Sequence, residues 1–205
     1  MQHAAIEKQS PEGVLPGRMP WKRGEVIWAL WNLIAGERKP VWVASDIPKA
    51  FSRRVTNLMD MGVGVEGAHR AGQRGVDHVY DIHDVIDLVI GSELMTFSWP
   101  QSEAAAFVRQ NRKEIRLHIE GFRLRGDQDD RLRLWIRTRP YTEKGDASLL
   151  YYPPEFTNRR AEEADNLRQI DALQRGRLVL ELSETDKALR YFLPLAPVSR
   201  RGRAA

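Results

Sequence analysis

The sequence predicts an α+β protein, with a helical unit that encloses a basic hairpin, followed by a small antiparallel β-sheet module carrying one helix. Three observations predict it. Through the first half, apolar residues recur at three- and four-residue spacings, the period of a helix face. Between residues 63 and 80 that pattern gives way to Gly64, Gly67, Gly72 and Gly75 among β-branched and basic residues, which suits a hairpin. After residue 114 the apolar period changes to two, as in a sheet with one wet face.

Residues 1–20 lack the apolar stretch of a signal peptide, and their Gln, Ser, Gly and Pro content reads as a disordered arm. From Trp21 onward, Val26, Ala29, Leu30, Leu33 and Ile34 share a helical face, with Trp28 and Trp31 beside it. Gly36 suits the end of that helix, and Pro40 stops its continuation. Ser45 or Asp46 can cap the next segment. A second helix is expected over 51–61, with Phe51, Val55, Leu58 and Met59 apolar and Gly62 as its stop. The hairpin follows over about 64–80. Asp81 and Asp84 place acid at the start of a third helix, where it meets orphan amides and the positive dipole end. Ser98 and Pro100 open a fourth helix, through Phe107 and Val108 to about residue 113. Helix, basic hairpin and helix in this order are the parts of a winged helix-turn-helix, assigned to residues 21–113.

In the second half, Ile115, Leu117 and Ile119 alternate with Arg116, His118 and Glu120, and Leu132, Leu134 and Ile136 alternate with basic residues and Trp135. With a turn at 127–130, this predicts an antiparallel hairpin. A third strand is expected over 149–152, and a helix over 158–175 capped by Asn158 and ended by Gly176. A closing hairpin would pair Leu178, Leu180 and Leu182 with residues 188–193 around a turn at 183–187. The β-rich assembly or sensing module thus spans 114–197, and residues 198–205 form a basic tail.

The formal net charge of +4 and an isoelectric point near 9.5 permit a nucleic-acid partner without requiring one, so the distribution of charge has to decide. The absence of cysteine excludes disulfides, thiolate zinc sites and thiol sensing. No apolar run approaches the ~20 residues of a membrane helix. A cytoplasmic protein with no membrane partner is therefore expected, of bacterial type and nucleoid-associated if it binds DNA.

On the second helix, Ser52, Arg53, Thr56 and Asn57 can share the face opposite its apolar residues. Arg suits guanine edges, Asn suits adenine, and Ser and Thr suit phosphates or either base. His69, Arg70 and Arg74 on the hairpin tip can follow a phosphate backbone, and each neutralised phosphate releases counterions. Tyr80, at the base of the hairpin, can donate to a phosphate or pack.

Ser52, Arg53, Arg54 and Val55 with Leu58 and Gly62, then Arg70 and Arg74, then Tyr80, then Asp84 and Val85 with Leu88, form an ordered set. That set, over residues 52–112, resembles the DNA-binding domain of MerR-type transcriptional regulators. The resemblance implies a recognition helix with Arg53, Arg54, Thr56 and Asn57 toward the major groove, and a wing with Arg70, Arg74 and Tyr80 against the DNA backbone. It further implies a sequence-specific regulator of double-stranded DNA, and a homodimer is the expected assembly. Separately, the C-terminal module is expected to assemble or sense, through a protein partner or an effector. The chain departs from the family pattern in the arm and tryptophan-rich helix that precede this stretch, and in the β-rich module that follows it.

No cofactor and no metal site is expected. His69, His78 and His83, with Asp77, Asp81 and Asp84 between them, are close in sequence, but on a hairpin leading into a helix their side chains diverge. Glu162 with Glu163 and Asp129 with Asp130 read as solvated pairs. No nucleophile–base grouping, phosphate loop or dinucleotide fingerprint is present, so an enzyme is not expected and no catalytic residue is assigned. Two other readings stay open. One is an adaptor that uses the winged helix for protein contacts, with Trp28 and Trp31 as its surface. The other is a single-strand binder using Arg116, Arg131, Arg133, Arg137, Arg139 and Trp135 on the sheet.

Overall fold

The computed structural model describes residues 20–34, 46–64, 78–125, 132–137, 155–157 and 177–197. Within them the chain runs β1 (Trp21–Lys22), α1 (Arg23–Ile34), α2 (Lys49–Asp60), β2 (Val79–Tyr80), α3 (Ile82–Thr96), α4 (Gln101–Arg125), β3 (Arg133–Arg137), β4 (Glu155–Thr157), β5 (Arg177–Glu181) and α5 (Leu182–Leu195). It is an α+β arrangement with two small antiparallel sheets: β1 with β2, and β4-β3-β5 with β3 in the middle. The arm, the tail and most of the expected wing lie outside the described residues.

Helix α1 is buried nearly all round, through Val26, Ile27, Trp28, Ala29 and Leu30, which places it at the centre of the core. Its start is fixed by Glu25, whose carboxylate accepts from the Lys22 amide at 2.9 Å. That is the acidic half of a capping box. Both chain halves contribute to a single apolar core, from Trp21 to Ala196. Burial of each large apolar side chain contributes roughly 1.5–3 kcal/mol against chain entropy.

Helix α2 begins after Pro48, which has no side-chain cap; Ser45 lies outside the described residues. Its end is as expected. The Val63 amide donates to Leu58 O and the Gly62 amide to Met59 O, both at 3.0 Å, with Gly62 at φ 89°. This is a Schellman stop, where the left-handed residue is glycine for want of a Cβ. Helix α3 opens on the expected acidic pair. Asp81 accepts from the Asp84 amide at 2.8 Å, and Asp84 accepts from the Asp81 amide at 2.9 Å. It closes on a second Schellman turn with Ser98 at φ 66°.

The expectation for the second half needs three corrections. Residues 115–120 are not a strand: α4 is one continuous helix of 25 residues. Ile115 and Ile119 are buried four residues apart, while Leu117 is 71% exposed. An inward strand face would have buried all three. The domain boundary set near residue 114 therefore falls inside a helix. Residues 188–193 are likewise helical, with Leu182, Leu189 and Leu193 as buried apolar positions of α5. The sheet partners of β3 are β4 and β5, with Leu134 opposite Phe156 and Leu180. The strand expected at 149–152 and the helix expected at 158–175 lie outside the described residues.

The exit strand of the expected wing, β2, pairs with β1 ahead of α1, Trp21 opposite Tyr80. Helix α5 returns from the sheet to pack on α1 and α3, and Trp28 meets Phe192 edge-on at 6.3 Å between ring centroids. The halves are thus interleaved. No helix among the described residues is long and apolar enough to cross a membrane.

Candidate nucleic-acid interface

Helix α2 is strongly amphipathic, and its sidedness decides what each expected site residue can do. Val55, Leu58 and Met59 are buried, and α2 lies close enough to α3 that a Cβ on Gly91 would stand 3.3 Å from a Leu58 methyl. At about 100° per residue, Arg53 falls opposite those three, at the centre of the outward face. Thr56 and Asn57 flank it, half-buried, and the exposed Arg54 lies about 100° away at the edge. Neither Arg53 nor Arg54 makes an ion pair among the described residues.

Ser52 is placed differently. It lies on the far edge of the helix, and its hydroxyl donates back to Pro48 O at 3.4 Å, a long local bond. Asp60 shares the outward face, where it meets Arg23 at 3.3 Å. Both side chains are exposed, so the pair contributes at most about 1 kcal/mol. The Gln101 amide group donates to Arg54 O at 2.9 Å, which ties the middle of α2 to the start of α4.

Tyr80 is in the core, 1% exposed, because its strand pairs with β1. Burial raises the phenol above its ordinary value, against the pull of the neighbouring Arg23. In this position it packs and does not present its hydroxyl to a phosphate. His69, Arg70 and Arg74 lie outside the described residues. The chain enters that segment after Gly64 and re-emerges at His78, just ahead of β2.

A second group of charged residues, not anticipated from sequence, lies between α3 and α4. Arg112 Nε donates to Asp87 Oδ2 at 2.9 Å and its Nη2 to Gly62 O at 2.7 Å. Arg116 Nη2 donates to Asp84 Oδ1 at 2.7 Å and to Asp87 Oδ2 at 3.2 Å. Asp87 is wholly buried, Arg112 nearly so, and Asp87 Oδ1 and Arg116 Nε have no hydrogen-bond partner among the described residues. Burial pushes the Asp87 carboxyl up to about 7 against the pull of Arg112 and Arg116. Two cations and two anions leave the group formally neutral.

Farther along α4, His83 Nε2 lies 2.6 Å from Glu120 Oε1 and 2.7 Å from Arg123 Nη1. One nitrogen cannot serve both. Carrying a proton it donates to Glu120, and without one it accepts from Arg123. Burial, then Arg123, lowers the imidazole below its ordinary value. Arg123 also reaches Asp186 of α5 at 2.6 Å. The missed signal was the spacing: Asp84 and Asp87 on one helix match Arg112 and Arg116 on the next, once residues 114–125 are read as helix.

This network removes Arg116 from the basic sheet face expected for single-strand binding. Arg133 faces Glu181 across β3 and β5, at 3.9 Å. Among the described residues no group of three or more histidine and carboxylate side chains could hold a metal ion. In comparison with known proteins, the chain matches no family model, no curated protein and no solved structure.

Proposed function

We propose that the chain is a sequence-specific double-stranded DNA-binding regulator with a MerR-like winged helix-turn-helix. In this reading α2 enters the major groove, and the segment 65–77 follows the adjoining backbone with His69, Arg70 and Arg74. One observation carries it: Arg53 stands at the centre of the exposed face of a helix whose other face is locked into the core, and neither it nor Arg54 has an ion-pair partner among the described residues. A guanidinium in that position keeps its five donors for guanine edges and phosphates. Arg54 at the edge and Asn57 beside Arg53 extend the same face, whereas Ser52 and Tyr80 drop out of the reading set. A homodimer would place two such helices on half-sites about one helical turn apart.

The test is selection of duplexes from a random pool, followed by titration at several salt concentrations. A recurrent motif, bound with an affinity that falls steeply as salt rises, is expected. Absence of any enriched motif, or binding indifferent to Arg53→Ala and Asn57→Ala together, sinks the reading.

A further inference from the structure

The direction in which α2 points is set at one junction, at its C-terminal end. The Schellman turn ending α2 exposes the Gly62 carbonyl to α4, where Arg112 Nη2 donates to it at 2.7 Å. The same guanidinium holds Asp87 of α3 at 2.9 Å, and both side chains are out of solvent. Two residues on, Gly64 sits at φ 86°, and a Cβ there would stand 2.9 Å from Asp84 O and 3.3 Å from Leu88. The chain is therefore pressed against α3 at the point where the segment 65–77 begins. Three helices meet here through one side chain. Its partners, Asp87 and Gly62 O, take Nε and Nη2, a fork that an ammonium cannot reproduce.

We propose that Arg112, held by Asp87, is a positioning residue that fixes how α2 sits against α3 and so where its outward face points. This rests on the DNA reading given above. Arg112 touches no DNA itself. It sets whether Arg53 and Asn57 can reach base edges. Loss of the junction therefore lowers discrimination between sequences more than it lowers total affinity, because charge on the surface is unchanged.

The experiment uses the full chain as wild type, as Arg112→Lys, and as the double variant Arg112→Leu with Asp87→Leu, in which apolar side chains replace the pair without stranding a charge. Each is titrated with a selected duplex and with a shuffled duplex of equal length at fixed salt. The ratio of the two Kd values is expected to fall about tenfold in both variants, the order of one base contact. The Kd for the shuffled duplex should stay within about twofold, since the phosphate-facing charges remain. Amide hydrogen exchange supplies a readout independent of DNA. Val63, whose amide bonds to Leu58 O, should exchange at the rate of the α3 core in wild type and at least about tenfold faster in Arg112→Lys, as expected for local opening.

An unchanged Kd ratio in either variant that still unfolds cooperatively overturns the proposal. So does a Val63 amide that exchanges in wild type far faster than residues 85–90, a result that needs no variant. If the wild type prefers neither duplex, the DNA reading itself fails, while the exchange data still decide whether Arg112 fixes the junction.

Discussion

The arginines of α2 and three of those on α4 carry the same charge in opposite circumstances. Arg53 and Arg54 are exposed, with no ion-pair partner among the described residues, whereas Arg112, Arg116 and Arg123 each meet a carboxylate, at 2.9, 2.7 and 2.6 Å. The α4 side chains have lost water and gained partners within the fold, so they are committed to it. Those of α2 keep their hydration and their donors, which makes them available to phosphates or base edges. A net charge of +4 does not distinguish the two sets. The distinction comes from which face of a helix meets another helix.

Removing a committed arginine should cost the most. Arg112→Ala leaves the buried Asp87 with Arg116 alone and should lower unfolding free energy by up to about 3–5 kcal/mol, read from urea denaturation. A loss below about 1 kcal/mol would put Arg112 in the same class as Arg53. Arg53→Ala should do the converse, with stability within about 0.5 kcal/mol of wild type and binding of a selected duplex weaker by about 1–3 kcal/mol. Equal effects on both quantities would erase the comparison.

The committed cluster should also respond to pH in two opposing ways. Asp87 titrates at about 7 in the folded chain and near the ordinary carboxylate value when unfolded. Its contribution is thus fully present at low pH and is lost as pH rises through about 7. His83 is lowered from 6.5, so its contribution is present above 6.5 and is lost as pH falls below it. Denaturation midpoints between pH 5 and 8, on a scale of about three units, should show Asp87→Asn removing the first slope and His83→Gln the second. If both variants remove the same slope, the two sites are one coupled unit. The smallest effect is expected at the end of α3, where Ser98 takes the left-handed conformation. Ser98→Gly should stabilise by up to about 1 kcal/mol in the same denaturation assay and leave DNA binding untouched.

Helices α1, α2 and α3 were legible from their apolar period, and α2 and α3 also from a local signal at one end. Gly62 stops α2, and Asp81 with Asp84 starts α3. The second half of α4 was ambiguous. Ile115, Leu117 and Ile119 satisfy a period of two, yet Ile115 and Ile119 are also four apart, and only the exposure of Leu117 separates the alternatives. The same ambiguity hid α5, where Leu182, Leu189 and Leu193 follow a helical spacing. Of the candidate site, the outward position of Arg53 followed from the apolar face of α2. The position of Tyr80 did not, since it depends on a pairing with Trp21 that no local pattern encodes. The Asp87–Arg112 contact was hidden for the same reason: the two residues come from separate helices, and only their docking matches the spacings.

The return of α5 to α1 has a consequence for the order of events at the ribosome. Trp28 is enclosed in part by Phe192, and α1 packs more extensively on α5 than on α2 or α3. Until residues 182–195 have emerged, the nascent chain carries an apolar helix with an open side. Its N-terminal portion cannot complete a core of its own while synthesis continues. Closure must wait for a contact between distant parts of the chain, which slows folding and lengthens the exposure of α1. A chaperone that binds short apolar segments would therefore find its site on this chain around Val26 to Leu30, and would find it early.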